Sequence, residues 1–395
     1  MIPRTIKDDI YWVGFIDWDR RLFDSLIPTP HGTTYNSYLI KGSEKTVLID
    51  TVDFGKDEFL LNALEMAGVK KIDYIVTNHA EQDHSGSLPK ILAKYPDAKI
   101  ITNAKCKGLL ESFLFIPEEK FIVVEDNEEI SLGNKTIQFM IAPWVHWPDT
   151  MFSYLKEDKI LFSCDFLGSH HATSELFVSD EKEVYLSAKR YYAEIMMPFR
   201  TMIKKHLERL DNLDIDIIAP SHGPLYNRPS FIIEAYKDWS SDSVKNQVVI
   251  PYVSMHGSTK AMVEYLSDAL SKEGIEVKLF NLEIADAGEL LMALVDTATI
   301  VVGASTMLVG PHPLAYYATY LVNAVRPKTR FVSVIGSYGW GGNTVEVLKG
   351  LISSLNVQLI EPVYIKGYPQ DIDFKLLDKL AEEINIKHKE IGLRR

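Results

Sequence analysis

Cysteine is nearly absent. The 395 residues include only Cys106 and Cys164, which leaves no disulfide framework and fits a reducing compartment. Runs of Lys and Arg are missing as well, and the net charge is -12. Binding a phosphate backbone needs clustered cations, so nucleic acid is excluded as a partner. The first nine residues, MIPRTIKDD, contain no apolar signal region, which places the protein in the cytoplasm. Only residues 290–310 are apolar enough to imitate a membrane span. Asp296 and the hydroxyl-rich stretch after it turn that segment into a helix end followed by a buried strand, so no membrane association is expected. No internal repeat or low-complexity tract is present.

What is there is long enough for two cores. A single core usually stops growing at roughly 250 to 300 residues. The polar, Ser/Asp/Lys-rich residues 236–246 read as a linker, which divides the chain into domains 1–246 and 247–395.

The first domain carries its chemistry in Asn78-His79-Ala80-Glu81-Gln82-Asp83-His84, directly after a short apolar run that reads as a buried strand. Ligands on the loop at a strand's carboxyl end converge on one point. Two imidazoles and two carboxylates are too many for one closed tetrahedral ion, so the segment suggests two metals. A polar helix start would account for Asp83 and Ser85 as caps but not for the paired histidines. Three later strands each end on one more ligand type: His146 after residues 137–142, Asp165 after 159–164, and His222 after 216–220. The other seven histidines, at 31, 170, 171, 206, 256, 312 and 388, lack that pattern, and most are expected at the surface or in loops. His170 and His171 follow Asp165 closely enough to line a pocket, for which Phe23 and Tyr192 are further candidates.

The second half alternates strand and helix at the spacing of a doubly wound sheet, with strands expected over 247–253, 277–281, 299–304, 330–336 and 358–365. The first of them runs into Ser254-Met255-His256-Gly257-Ser258-Thr259, which opens a helix. A small, hydroxyl-rich loop at a helix N-terminus cradles one phosphate through backbone N–H groups and side-chain hydroxyls. Neither G-K-[ST] nor G-x-G-x-x-G occurs on it, which argues against a nucleoside triphosphate or a dinucleotide and for FMN. Two more strand-end loops meet it at the switch point. The first contributes Ser305, Thr306, Met307 and Pro311, and the second Ser337, Tyr338, Gly339, Trp340, Gly341 and Gly342. Trp340, between glycines, is a candidate for stacking on a flat ring.

The H-x-E-x-D-H segment resembles the metal loop of the metallo-β-lactamase superfamily, with Glu81 standing where its dizinc hydrolases carry His. A carboxylate there hardens the site and moves its preference from zinc towards iron or manganese. The full set of His79, Glu81, Asp83, His84, His146, Asp165 and His222 resembles the diiron site of the flavodiiron proteins. The second half resembles short-chain flavodoxin, although His256 replaces an aromatic residue often found on that loop. The resemblance implies a metallo-β-lactamase-like αββα sandwich followed by a flavodoxin-like doubly wound parallel sheet. It further implies that His79, Glu81 and His146 hold one iron, that Asp83, His84 and His222 hold the other, and that Asp165 bridges them. In some family members the imidazole at the place of His84 turns away from the metal. The implied reaction is reduction of dioxygen to water, of nitric oxide to nitrous oxide, or both, with electrons relayed through FMN. Two cysteines are too few for a fused rubredoxin module, so an external donor such as rubredoxin or its reductase is expected. A head-to-tail homodimer, or a dimer of dimers, would set one chain's flavin against the other chain's irons. The alternative function is a binuclear metallohydrolase with an appended flavodoxin domain.

Overall fold

A computed structural model describes residues 2–393 and separates them into two compact units. The first comprises Met1–Tyr192 and Phe199–Ser240, and the second comprises Ser241–Arg395 with the short segment Ala193–Pro198.

The first unit is built on two sheets. One has seven strands in the order Arg4–Lys7, Ile10–Trp12, Tyr38–Lys41, Thr46–Ile49, Tyr74–Val76, Lys99–Thr102 and Phe121–Val123. Its first four strands pair antiparallel and the remainder run parallel. The second sheet orders Glu129–Ser131, Thr136–Ile141, Met151–Leu155, Ile160–Cys164 and Ile217–Pro220, antiparallel until the last, parallel pair. Alternate residues of both sheets meet in one core: Ile49, Val76 and Ile101 from the first, Phe139, Phe162 and Ala219 from the second. The other face of the first sheet buries Leu48, Ile75 and Ile100 against Leu60, Leu64, Ile91 and Leu110 of three helices. Inward-facing residues on both sides explain why Ile160–Cys164 and Ile217–Pro220 are buried at every position and read as continuous apolar runs. The strands that end on Glu81, Asp83, His146, Asp165 and His222 all release their loops at the same edge of this sandwich, which is what lets residues far apart in sequence converge.

The second unit holds a parallel sheet in the order Glu276–Asn281, Lys245–Tyr252, Thr297–Met307, Phe331–Tyr338, with Gln358–Leu359 and Val363–Lys366 both pairing to the last. The first strand in sequence lies inside the sheet, and the order reverses beside it, which creates the switch point. Residues 290–310 form the end of the helix Ala287–Leu294 and then the buried strand Thr297–Met307, as their composition predicts. No helix among the described residues is long and apolar enough to cross a membrane.

Two expectations need correction. The single strand over 358–365 is broken, because Ile360 turns into the core and leaves two short pieces on either side of it. Residues 236–246 are mostly not a linker. Tyr236 and Trp239 are buried on the helix Pro229–Ser240, and Lys245 already opens the next strand. Of the polar residues that suggested a linker, Lys237 and Asp238 lie on the exposed side of that helix, Ser240 is buried on it, and Ser241 to Ser243 form the short connection to the strand. The units change over between Ser240 and Ser241, and the division expected after residue 246 lies within the strand Lys245–Tyr252.

Candidate metal centre and flavin cleft

The strand Tyr74–Val76 is fixed at its carboxyl end before the first ligand candidate begins. The Asn78 amide and side-chain nitrogens donate to the Asp50 carboxylate at 2.8 and 2.9 Å, and Ser153 Oγ donates to Asn78 Oδ1 at 2.7 Å. His79 follows, fully buried, with Nδ1 at 3.1 Å from Asp149 Oδ2; the same oxygen accepts from the Ala80 amide at 2.9 Å. Glu81 then leads into the one-turn helix Gln82–Ser85, so the polar helix start and the ligand loop are the same piece of chain.

All seven candidates converge, in two groups. His79 Nε2 and His146 Nε2 lie 3.1 and 3.3 Å from Glu81 Oε2. His84 Nε2 and His222 Nε2 lie 3.2 and 3.1 Å from the two oxygens of Asp83. Asp165 stands between the groups. Its Oδ2 is 3.7 and 3.5 Å from His79 and His146, and its Oδ1 is 3.1 and 3.3 Å from His84 and His222. Every imidazole turns Nε2 inward, His84 included. The outward nitrogens of two are held by the protein, since His222 Nδ1 donates to the Thr34 carbonyl at 2.6 Å and His79 Nδ1 faces Asp149. Fixing the far nitrogen sets tautomer and ring orientation, as a metal ligand requires.

The electrostatics are those of interlocked ion pairs. Burial opposes charge on the rings, but the hydrogen bonds to Asp165, with Asp83 in one case and Glu81 in the other, outweigh it, raising the pKa of His222 to about 10 and of His146 to about 9. Burial likewise opposes charge on Asp165, yet His84, His146 and His222 hold it well below the usual carboxylate range. Cations entering the cluster would displace the ring protons, since imidazole binds metal in its neutral form. Four imidazoles with three carboxylates suit two cations of intermediate hardness.

Sequence reasoning missed two residues here. Asp149, beyond the His146 loop, orients His79. Tyr191 donates its hydroxyl to Asp165 Oδ1 at 3.0 Å. The pocket-lining candidate Tyr192 instead packs its ring 5.3 Å from Tyr236 and 5.4 Å from Trp239, one helical step away. Phe23 does reach the site's surroundings, 4.8 Å from His170, whose ring is 5.3 Å from that of His222. The expectation that most other histidines sit at the surface or in loops fails for His206 and His388, which are buried on helices, and His170 and His171 are buried loop residues. His206 packs edge-on against the stacked rings of Phe152 and Phe166, and His388 sits 2.7 Å from Thr299 Oγ1.

In the second unit a cleft of about 280 Å³ is lined by Met255, His256, Ser258, Ser305, Thr306, Ser337, Tyr338 and Gly339, joined by Gly367 and Tyr368. Gly257 takes a left-handed φ of 88° before the helix Ser258–Lys272, a conformation that suits glycine. Ser254 Oγ accepts from the Lys260 amide at 3.1 Å, and Ser258 Oγ is 2.6 Å from Ser337 Oγ. Ser305 Oγ, on the cleft wall, and Thr259 Oγ1, buried in the first turn of the helix and outside the lining, are both without a hydrogen-bond partner. Met307 and Pro311 do not line the cleft; the segment turns back so that Thr306 pairs with Pro311. Gly341 and Gly342 line a neighbouring cleft of about 430 Å³ with Tyr338 and Tyr364. Trp340 is 78% exposed and lines neither. Gly367 and Tyr368, directly after the strand Val363–Lys366, were not singled out in the sequence, because one glycine and one tyrosine at that strand end lack the hydroxyl-rich pattern of the other loops.

The profile of the ODP family beta lactamase matches residues 33–223, which span the strand ends just described. Similarity extends over the full chain to a nitric oxide reductase of Moorella thermoacetica, 36% identical over 97% of this chain and 98% of that protein. A coenzyme F420H(2) oxidase of Methanothermobacter marburgensis is 34% identical over 96% and 98%. This chain belongs to the flavodiiron proteins. Among solved structures, rubredoxin oxygen:oxidoreductase from Desulfovibrio gigas superposes with a TM-score of 0.94 at 30% identity, covering 98% of this chain and 99% of that one. The flavodiiron fold, a metallo-β-lactamase-like unit with a flavodoxin-like unit, is therefore the fold of this oxidoreductase, and the hydrolase alternative is not favoured.

Proposed function

We propose that this flavodiiron protein reduces dioxygen to water, nitric oxide to nitrous oxide, or both, at two irons in the first unit, using electrons relayed through an FMN in the second. The observation that carries the reading is Asp165, which offers one oxygen to each group of nitrogen ligands. On this reading His79, Glu81 and His146 hold one iron, Asp83, His84 and His222 hold the other, and Asp165 belongs to both. Glu81 in place of a third imidazole supports iron over zinc. Bound there, iron and flavin together supply the chemistry of collecting electrons in pairs and loading them onto a diatomic molecule.

The chain's own groups set the conditions for that chemistry. Asp149 and the Thr34 carbonyl hold His79 and His222 in the tautomer that presents Nε2. Tyr191 steadies Asp165 through its hydroxyl. Ser258, Thr259 and Ser305, with the N-terminus of the helix Ser258–Lys272, are assigned to the FMN phosphate. Ser254 to Gly257 belong to the same phosphate loop, and Thr306, Ser337, Tyr338 and Gly339 of the cleft wall are assigned to the rest of the flavin, whereas Met307, Pro311 and Trp340 to Gly342 lie outside that cleft. The names of the relatives, a nitric oxide reductase and an F420H(2) oxidase, and of the structural neighbour, a rubredoxin oxygen:oxidoreductase, support this substrate class and an external donor such as rubredoxin or its reductase.

We assign a head-to-tail homodimer, alone or paired into a dimer of dimers, as the working unit. Exposed apolar side chains on the loops around each site support it: Leu26, Phe54 and Trp144 in the first unit, and Met255, Leu308 and Trp340 in the second. Two free, buried cysteines support a cytoplasmic setting. The reading is tested by reducing the iron- and FMN-loaded protein anaerobically and mixing it with each gas. Consumption of dioxygen without release of hydrogen peroxide, or of nitric oxide with release of nitrous oxide, is expected. Inertness towards both, with hydrolysis of thioesters or lactams instead, would overturn it.

A further inference from the structure

The ligand candidates come from both sheets of the first unit. His79, Glu81, Asp83 and His84 leave the first sheet after Tyr74–Val76, whereas His146, Asp165 and His222 leave strand ends of the second. Of Asp83, His84 and His222, only His222 belongs to the second sheet. That group therefore forms only if the loop 220–223 is held in register with the first sheet.

The chain from Thr34 to Tyr38, which leads into the strand Tyr38–Lys41 of the first sheet, supplies the hold. The Thr34 carbonyl accepts from His222 Nδ1 at 2.6 Å, and Thr34 Oγ1 accepts from the Gly223 amide at 2.7 Å. Asn36 grips the loop on both sides of His222. Its backbone amide donates to the Ser221 carbonyl at 2.8 Å, and its Nδ2 donates to the Pro220 and Gly223 carbonyls at 2.7 and 2.8 Å. The Tyr38 hydroxyl adds a bond to the Pro220 carbonyl at 2.5 Å.

The amide of Asn36 is itself fixed, because its Oδ1 accepts from Trp12 Nε1, on the first sheet, at 2.8 Å. An indole nitrogen only donates and a carbonyl only accepts, so one orientation of the amide makes all three side-chain bonds and the flipped one makes none. Asn36 is buried, so water does not replace a bond lost there. On the far side of the loop the Ser169 amide donates to the His222 carbonyl at 3.1 Å. Held in this way, His222 Nε2 stands 3.1 Å from Asp83 Oδ2 and 3.3 Å from Asp165 Oδ1.

Taking His222 as a metal ligand, as in the function proposed above, we infer that Asn36 is the positioning residue that sets it at the second metal. Asn36 acts through the backbone on either side of the ring. None of its bonds reaches His79, Glu81 or His146, so its influence is confined to the group of Asp83, His84 and His222.

The test compares iron-loaded wild type, Asn36→Leu, Trp12→Phe and Asp149→Ala. Iron retention is followed against a chelator, anomalous scattering locates the iron that remains, and Mössbauer spectra of enriched protein report each iron separately. Asn36→Leu keeps the volume of the side chain and removes its three bonds. It should weaken retention at the His222 group at least about tenfold and alter the signal of that iron alone, the usual scale for a group that orients a ligand. Trp12→Phe, which leaves the amide in place but frees its oxygen, should weaken the same group by a smaller factor. Asp149→Ala should deplete the opposite group. Loss from both groups alike in Asn36→Leu, at a lowered melting temperature, would reduce Asn36 to general support of the fold and overturn the inference. Retention and spectra unchanged in Asn36→Leu would overturn it too; if that variant does not fold, an unchanged Trp12→Phe protein does so. Wild-type protein that binds no cation at His222 would instead remove the proposed centre, and this role with it.

Discussion

At the scale of single residues, the centre depends on side chains that never meet a metal. Asp149 fixes His79 through Nδ1, and such outer partners typically contribute a factor of 10 to 100 in metal affinity. Asp149→Ala should therefore lower iron retention at the His79, Glu81, His146 group about tenfold or more, read by metal content after dialysis against a chelator, while the second group keeps its ion. Equal retention in variant and wild type would mean that packing against Trp147, 4.9 Å from His79, holds the ring by itself. His206 bears on stability. Burial lowers its pKa, with the hydrogen bond to the Pro143 carbonyl opposing. A histidine harder to protonate when folded than when unfolded adds stability that is complete above the unfolded value, about 6.5, and is lost as pH falls below it. His206→Gln should therefore show a smaller drop in melting temperature between about pH 7 and about pH 5 than wild type. An unchanged drop would assign it to other groups. The paired histidines, Glu81 and Asp83 were legible because they crowd a strand end. Asp149 and Tyr191 were not, because one carboxylate in a loop and one tyrosine on a helix look like any others until the fold brings them near.

At the scale of elements, strands end where the chemistry sits, and this is why the sequence was informative about function. Two apolar runs, Ile160–Cys164 and Ile217–Pro220, are buried at every position and led to Asp165 and His222, since a strand buried on both faces has little room for polar residues until it leaves the sheet. The half-buried strand Thr136–Ile141 led to His146. The same logic placed the phosphate loop after Lys245–Tyr252. Elements lacking that contrast were misread: the split strand near Ile360, the last turns of Pro229–Ser240, and the loop of Gly367 and Tyr368. The phosphate assignment has its own test. Replacing Ser258 and Thr259 together by Ala should weaken FMN binding at least about tenfold, because each charge-assisted hydrogen bond contributes roughly 1.5 to 3 kcal/mol. Fluorescence titration of the flavin measures it, with iron content as the control. Unchanged affinity would move the phosphate to another loop.

At the scale of the whole molecule, electrons must travel between sites that belong to separate units, and the head-to-tail dimer is the proposed solution. Mixing a chain that cannot bind FMN with a chain lacking His79 and His146 should restore part of the turnover, since one pairing then unites an intact flavin with intact irons. Full activity of a sedimenting monomer would exclude the arrangement.

The central claim is that the first unit holds two irons and the second one FMN. Metal and flavin analysis of protein purified from iron-replete cells, with anomalous scattering at the iron edge to place the metals, addresses it most directly. The account predicts two irons per chain flanking Asp165 and one non-covalent FMN. Two zinc ions at that position, in protein that takes up no flavin, would contradict it.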